Sequence, residues 1–192
     1  MTTKSKYVKI PNQDKGGAKL KILITGLGIT GKSSLLKWLK TFLPLIQNTI
    51  MLDLDYDREK LPKAFEPNIL YVLEDVHGPT KNAVIPLIEY NLILYLLPSW
   101  FTHLKYWLAR MHIWYQLGLY AWDPDKDQRR GTGKSKDWRN LPGIFKEFVA
   151  HFPKRSSTID EDLVVLKTSS ITTLLVIPKG RGEKIFFRFK TL

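Results

Sequence analysis

The first half of the chain alternates short apolar runs with a stretch of helical spacing. Four runs predict β-strands: KLKILITG, NTIMLDLD, NILYVLED and YNLILYLLP. The fourth is almost wholly apolar, as expected for a central strand that is covered on both faces. Between the first two runs, KSSLLKWLKTFL repeats its leucines at helical spacing, and Pro44 follows as a stop signal.

The second half predicts longer helices and a terminal hairpin. SWFTHLKYWLARMHIWYQLGLYAW has apolar residues at helical spacing, and Ser99 is a suitable N-cap. A polar loop at about 123–143 precedes a second helix, IFKEFVAHF. The end of the chain holds the apolar runs DLVVLK, TTLLVIP and KIFFRFK, and KGRGE between the last two predicts a hairpin at about 172–190.

This order of strands and helices predicts an α/β fold. We expect a mainly parallel central sheet flanked by helices, plus a C-terminal β-hairpin. Residues 1–19 hold five lysines and one aspartate and predict a flexible basic arm. Residues 20–192 are enough for one domain with a substantial core.

Charge and composition narrow the candidate partners. The 30 Lys and Arg residues exceed the 18 Asp and Glu residues, which gives a formal net charge of +12. Such an excess favours nucleotides, nucleic acid or an acidic membrane surface, although a solvated basic surface would give the same count. The absence of cysteine excludes disulfides, a thiol nucleophile and cysteine-ligated zinc, and it fits a cytoplasmic protein.

Neither a signal peptide nor a membrane span is expected. The first 19 residues lack the apolar run of a signal peptide. The longest apolar stretch, Ala83 to Phe101, is interrupted by two prolines, a glutamate and an asparagine, so it does not fit a membrane helix.

The strongest chemical signal lies between the first strand and the first helix. Gly26 to Ser33 reads G-L-G-I-T-G-K-S, which matches the phosphate-binding pattern G-x-x-x-x-G-K-[ST] of P-loop NTPases. Glycines let the backbone N–H groups turn inward, and the helix N-terminus behind them adds to the anion site. Lys32 would reach the β- and γ-phosphates, and the Ser33 hydroxyl would bind Mg²⁺. The candidate nucleotide-binding residues are Gly26, Gly28, Ile29, Thr30, Gly31, Lys32, Ser33 and Ser34.

The alternative for Gly26–Ser33 is a plain glycine turn between a strand and a helix, but chance rarely produces the full pattern with these flanks. A second glycine-containing fragment resembles the motif only in part. The fragment GTGKS at 131–135 lacks the first glycine at the required spacing, and no strand is predicted before it. We interpret it as a basic loop and not as a second nucleotide site.

The second strand ends in D-x-D-x-x-R, formed by Asp53, Asp55 and Arg58. Together with the P-loop pattern, this resembles P-loop kinases that phosphorylate small molecules or polynucleotide ends. The resemblance implies that Asp55 is the base for the acceptor hydroxyl. It also implies that Asp53 assists or binds Mg²⁺ indirectly, and that Arg58 contacts the acceptor or a phosphate. A solvated acidic strand end is the alternative.

The third strand ends in Glu74-Asp75, which resembles a Walker B carboxylate that holds Mg²⁺ through water. Asp75 is the first choice and Glu74 the second. Asp75 to Gly78 also matches the D-x-x-G of GTPases, but no N-K-x-D motif follows the fourth strand, so we set the GTPase interpretation aside. His77 is then a loop residue.

In the kinases that this chain resembles, a basic lid closes over the phosphates after the fourth strand and a helix. The corresponding loop here is DQRRGTGKSKDWR, in which Arg129 and Arg130 are the candidate phosphate contacts. Arg110, on the preceding helix, is a third candidate. A disordered basic loop is the alternative.

Aromatic residues concentrate in the second half. Five of the six tryptophans lie between Trp100 and Trp138. Their spacing favours core packing, and a stacking platform for a nucleic-acid base is the alternative. In the terminal hairpin we favour packing of the phenylalanines, with Lys184, Arg188 and Lys190 on the solvent side, over a ribbon that contacts phosphates.

The sequence therefore predicts an Mg²⁺-dependent phosphotransferase that binds ATP or GTP. Its acceptor would be a nucleoside, a nucleotide or a nucleic-acid end. The first alternative is an NTP-hydrolysing assembly protein whose contact with single-stranded nucleic acid or a protein is controlled by nucleotide. The second is a kinase-like fold that binds nucleotide without turnover.

Overall fold

The chain forms an α/β fold around one six-stranded, mostly parallel sheet. The computed structural model describes residues 20–42, 48–54, 57–75, 79, 83–123, 128–179 and 186–192. The strand order in the sheet is β2-β3-β1-β4-β7-β8, and β5 and β6 form a separate two-stranded ribbon. The strands are β1 Leu20–Gly26, β2 Thr49–Asp53, β3 Leu70–Glu74, β4 Leu92–Leu96, β5 Ala121–Asp123, β6 Gln128–Arg130, β7 Thr173–Lys179 and β8 Phe186–Thr191.

Four α-helices accompany these strands. They are α1 Lys32–Phe42, α2 Trp100–Leu117, α3 Leu141–His151 and α4 Arg155–Thr168. Short 3₁₀ helices lie at Arg58–Lys60, Leu87–Glu89 and Trp138–Asn140. The predicted strands at the positions of β1 to β4, the helix that follows β1, and the mainly parallel sheet are confirmed.

The predicted N-cap of helix α2 is confirmed, since the Ser99 hydroxyl accepts the Thr102 N–H at 3.2 Å. The second half otherwise departs from the prediction in three places. Helix α2 ends earlier than predicted, because Gly118 adopts the left-handed conformation that closes a helix. The predicted polar loop contains strand β6, and the DLVVLK run lies inside α4.

Both faces of the sheet are covered, and alternate residues of each strand supply the two cores. Leu23, Leu73 and Tyr95 lie in one apolar cluster, which includes Leu166 of α4. Their neighbours Ile24, Val72 and Leu94 lie in a second cluster with Leu35 and Leu36 of α1. Successive side chains of a strand point to opposite faces of the sheet, so one residue packs on the α1 side and the next on the α4 side.

The last two strands pair antiparallel at the sheet edge, with Leu174 opposite Thr191 and Lys179 opposite Phe186. This confirms the predicted terminal hairpin pairing. Phe187 packs edge-on against Trp38 of α1, with ring centroids 5.5 Å apart. Arg188 and Lys190 are exposed, as predicted, whereas Lys184 lies outside the described residues.

Several predictions fall on parts of the chain that the structure does not describe. They concern the arm at 1–19, Asp55 and His77. Among the helices that are described, none has the length and apolar character that a bilayer crossing requires.

Candidate functional site

The loop Gly26–Ser33 connects β1 to α1 at the carboxyl edge of the sheet. Strand β1 lies between β3 and β4 and runs parallel to both, so their carboxyl ends meet beside the loop. In open α/β sheets this edge is where ligands bind. Gly26 turns the chain away from β4 with φ 133°, and a Cβ there would lie 2.7 Å from the Leu96 carbonyl oxygen. Only glycine fits this turn.

The loop backbone is bent in a way that few residues adopt. Gly31 has φ 91°, and a Cβ there would lie 3.3 Å from the Tyr106 ring. Ile29 has φ 59°, which is uncommon for a β-branched residue and costs on the order of 1–3 kcal/mol. Such conformations persist where surrounding structure enforces them, and they concentrate at ligand sites.

Lys32 is the first residue of α1 and is almost completely buried. Its Nζ donates to the Leu27 carbonyl at 2.9 Å and to the Gly26 carbonyl at 3.3 Å. The lysine therefore bends back over the loop that precedes it. A buried ammonium this close to the first N–H groups of a helix produces strong positive potential at one point.

The structure brings Glu74, and not Asp75, to the Ser33 hydroxyl. The Ser33 hydroxyl donates to Glu74 Oε1 at 3.2 Å, and Glu74 is 3% exposed. Glu74 follows Val72 by two residues in β3, so both side chains lie on the face of the sheet that packs against α1. Asp75 falls on the opposite face, where its carboxylate accepts the Val84 N–H at 3.0 Å. Of the two sequence candidates for a metal carboxylate, Glu74 is the one that meets the loop.

Asp53 lies beside Glu74. The two are register partners at the ends of β2 and β3, and Asp53 shares its strand face with Met51, which packs on the α1 side. Asp57 turns back to this strand end, where its carboxylate accepts the Asp53 N–H at 3.4 Å. Arg58 is exposed in the following 3₁₀ helix. The predicted base, Asp55, lies outside the described residues.

His103 of α2 supports the loop from the other side, a contact that the sequence did not reveal. Its Nε2 lies 3.0 Å from the Gly28 carbonyl oxygen. A carbonyl only accepts, so Nε2 carries the proton and the ring is held as one tautomer. Burial lowers the pKa of His103, and the positive charges of Arg155 and Lys32 act in the same direction. The imidazole therefore stays neutral beside the loop.

A cavity of about 440 Å³ opens beside the first half of the loop. This volume lies within the range of about 300–1,000 Å³ that is typical of small-molecule sites. Gly26 to Ile29 form one wall, and His103, Trp107 and Trp114 of α2 form another. The α2 residues recur at helical spacing, so a single face of that helix lines the cavity.

The start of α4 closes the cavity with cations that the sequence analysis missed. Lys154 caps the helix and Arg155 is its first residue, and both line the cavity together with Asp162. Arg155 Nη2 donates to the Pro98 carbonyl, which holds the guanidinium near the carboxyl end of β4. Cations are unfavourable at a helix N-terminus unless an anion offsets them. Because the sequence did not predict this helix, the unusual placement gave no signal from which these cations could have been identified.

Two of the three predicted phosphate-binding cations lie away from the cavity. Arg130 and Arg110 are exposed, and neither lines the cavity; the Arg129 side chain is not described. Contrary to the prediction, strand β6 directly precedes the GTGKS fragment. The fragment itself is exposed and lies outside helices and strands, in agreement with its interpretation as a basic loop.

A closed metal site built from protein ligands alone does not occur in the described ranges, where no three His, Cys, Asp or Glu side chains cluster. Ser33 and Glu74 nevertheless form the kind of donor pair that Mg²⁺ accepts. Mg²⁺ is usually bound by one or two carboxylates together with water and substrate phosphates, and not by a full protein cage.

The chain was compared with known proteins. No protein-family model matches it, and a search of curated proteins finds no match. The residues and their geometry therefore carry the functional inference.

Proposed function

We propose that the protein is an Mg²⁺-dependent phosphotransferase that uses ATP or GTP. The observation that carries this proposal is the arrangement of the loop Gly26–Ser33. Gly26 and Gly31 hold conformations that favour glycine, Lys32 bends over the loop, and Ser33 contacts the buried carboxylate of Glu74. The sequence pattern alone would allow a simple turn, but a simple turn has no need for a buried lysine and a buried glutamate.

The phosphates of the nucleotide would lie in the loop. Helix α1 begins at Lys32, and the first turn of a helix is where backbone N–H groups bind phosphate oxygens. Lys32 would exchange its contacts with the Gly26 and Leu27 carbonyls for the β- and γ-phosphates. Because the loop is already bent, binding requires little further ordering of the chain.

Ser33 and Glu74 would hold the magnesium ion, with Asp53 next to them. When bound there, Mg²⁺ would neutralise the charge that develops in transfer. The Ser33 hydroxyl would supply one ligand, and the Glu74 carboxylate would hold a water of the coordination shell. Both residues lie at the carboxyl edge where the loop begins, so metal and phosphates would meet there.

The cavity gives the acceptor a place next to the loop. Its aromatic wall, Trp107 and Trp114, suits a flat ring, and Lys154 and Arg155 approach from the far side. Phosphoryl transfer depends mainly on positioning and on charge stabilisation. Lys154 and Arg155 would supply the cations that the sequence analysis assigned to Arg129 and Arg130.

The experiment is a transfer screen. Labelled γ-phosphate of ATP and of GTP is followed to nucleosides, nucleotides and 5′-hydroxyl oligonucleotides, with Mg²⁺ or with EDTA. We expect label in one acceptor class, only with Mg²⁺, and its loss in Lys154→Met. Lys146→Met is the matched control, because Lys146 is also an exposed lysine but does not line the cavity.

Hydrolysis without transfer would favour a second function. The exposed basic loop after β6 supports an NTP-hydrolysing protein that contacts nucleic acid. In that case phosphate release should increase with added DNA or RNA while no acceptor is labelled. A folded protein that binds ATP yet shows neither activity would contradict both functions and leave a binding fold without turnover.

A further inference from the structure

Trp138 is the most exposed of the tryptophans whose exposure is described. Its side chain is 72% exposed, whereas Trp107 is buried in the helical layer. Trp138 is therefore not a core residue, although the spacing of the tryptophans favoured core packing. A single exposed ring is ordinary at a protein surface, so its support and its charged neighbours decide what it can bind.

The segment that carries Trp138 is firmly held. We call residues 130–139 the Trp138 loop. The Tyr120 N–H donates to the Arg130 carbonyl at 2.8 Å, and the Gly133 N–H donates to the Gly118 carbonyl at 3.0 Å. The Lys136 N–H reaches the Tyr115 carbonyl at 2.9 Å. These bonds fix the loop to the end of α2, so the exposed ring stands on an ordered support.

A second set of bonds closes the loop on itself. The buried Asn140 side chain accepts the Thr132 N–H at 3.0 Å and donates to the Thr132 hydroxyl at 3.0 Å. Asp137 accepts the Arg139 guanidinium at 2.7 Å, which orients Arg139 next to Trp138. The backbone that carries the ring and the cations is thus held in one conformation, which lowers the entropy cost of binding.

The charge of the Trp138 loop is strongly positive. The loop contains four basic residues and one acidic residue, Asp137. The four basic residues are all exposed: Arg130, Lys134, Lys136 and Arg139. An exposed ring on a loop that also carries exposed cations suits a ligand that combines a flat base with a phosphate backbone. Stacking of bases on aromatic side chains, with basic residues along the backbone, is how proteins bind single strands.

We infer that the Trp138 loop binds single-stranded nucleic acid, with a base stacked on Trp138 and the backbone along Lys134 and Lys136. A purely apolar partner would make no use of the exposed Lys134 and Lys136, and a polyanion without bases would make no use of the ring. The inference does not depend on the proposed function, because the loop and the cavity share no residue.

The test is fluorescence anisotropy with a labelled oligothymidylate of about fifteen nucleotides, near the upper site size of single-strand binding folds. Trp138→Ala should weaken binding by roughly 5- to 150-fold, the range for loss of one stacked base. Trp138→Phe should retain most of the affinity. Lys134→Gln with Lys136→Gln should reduce the slope of log K against log[salt] by about 0.7 for each charge.

Phe101→Ala is the matched control, because Phe101 is also 72% exposed but lies on α2 outside the Trp138 loop. It should bind as the wild type does. Equal weakening in Trp138→Ala and Phe101→Ala would overturn the inference, and so would competition by inorganic polyphosphate that matches unlabelled oligothymidylate.

Discussion

Glu74 and Asp75 are adjacent in the chain, but the two-residue period of β3 places them on opposite faces of the sheet. The Ser33 hydroxyl donates to Glu74, whereas Asp75 accepts the Val84 N–H. Glu74→Gln keeps the shape and an acceptor oxygen but removes the charge. We expect the Mg²⁺ concentration for half-maximal ATP binding to rise by roughly 10- to 100-fold, as for other outer-shell partners of a metal.

Asp75→Asn is the control for this change, because Asp75 bonds the Val84 N–H on the other face. It should leave the Mg²⁺ dependence unchanged. Nucleotide titration at several Mg²⁺ concentrations measures both variants. The reverse pattern, with the larger effect in Asp75→Asn, would return the metal role to Asp75.

His103 makes stability depend on pH. Its pKa is lowered in the folded protein because burial disfavours the charged ring. The unfolded chain therefore binds this proton more readily, and stability should fall as the pH drops below about 6.5. His103→Gln can still donate to the Gly28 carbonyl but does not titrate.

Urea unfolding between about pH 8 and pH 5, the range in which histidine titrates, checks this expectation. The wild type should lose stability across that range, and His103→Gln should lose less. Parallel pH profiles for the two proteins would show that His103 is not the group responsible.

At the scale of elements, the junction between α2 and the Trp138 loop depends on one glycine. A Cβ on Gly118 would lie 2.3 Å from the Lys134 carbonyl oxygen, and the residue has φ 70°. Gly133 has the same φ but open space around it. Gly133→Ala should therefore lower the free energy of unfolding by only about 1–2 kcal/mol, because the alanine must adopt a left-handed conformation but meets no other atom.

Gly118→Ala should cost clearly more, because the backbone of the Trp138 loop would have to move. Chemical denaturation of both variants gives the difference in the free energy of unfolding. Equal losses would mean that the loop adapts freely, which would contradict the firm attachment described for it.

The elements that sequence predicted well are those with strong local signals. Strands β1 to β4 are short apolar runs, and α2 begins at a capping serine. Helix α4 escaped prediction because its buried residues, Ile159, Asp162 and Leu166, include a carboxylate that only tertiary structure explains. Asp162 accepts the Tyr95 hydroxyl at 2.8 Å, a contact across 67 positions of sequence. No local pattern encodes such a bond.

At the scale of the whole molecule, the site combines parts that are distant in sequence. The loop Gly26–Ser33 could be predicted because its residues are consecutive. The Ser33–Glu74 pair depends on the strand order, and the cavity depends on how α2 and α4 meet the loop. The choice between Glu74 and Asp75, and the roles of His103, Lys154 and Arg155, therefore required the three-dimensional arrangement.

The central claim is that Gly26–Ser33 binds the phosphates of a nucleotide through Lys32. Calorimetric titration of Mg-ATP and Mg-GTP into the wild type, Lys32→Ala and Lys37→Ala tests it most directly. Lys37 lies on the same helix but is exposed, so its variant controls for loss of a positive charge. We expect the wild type and Lys37→Ala to bind one of the nucleotides alike, and Lys32→Ala to bind it at least about tenfold more weakly, a difference of about 1.4 kcal/mol. Equal affinity in all three folded proteins, or no binding by the wild type, would contradict the claim.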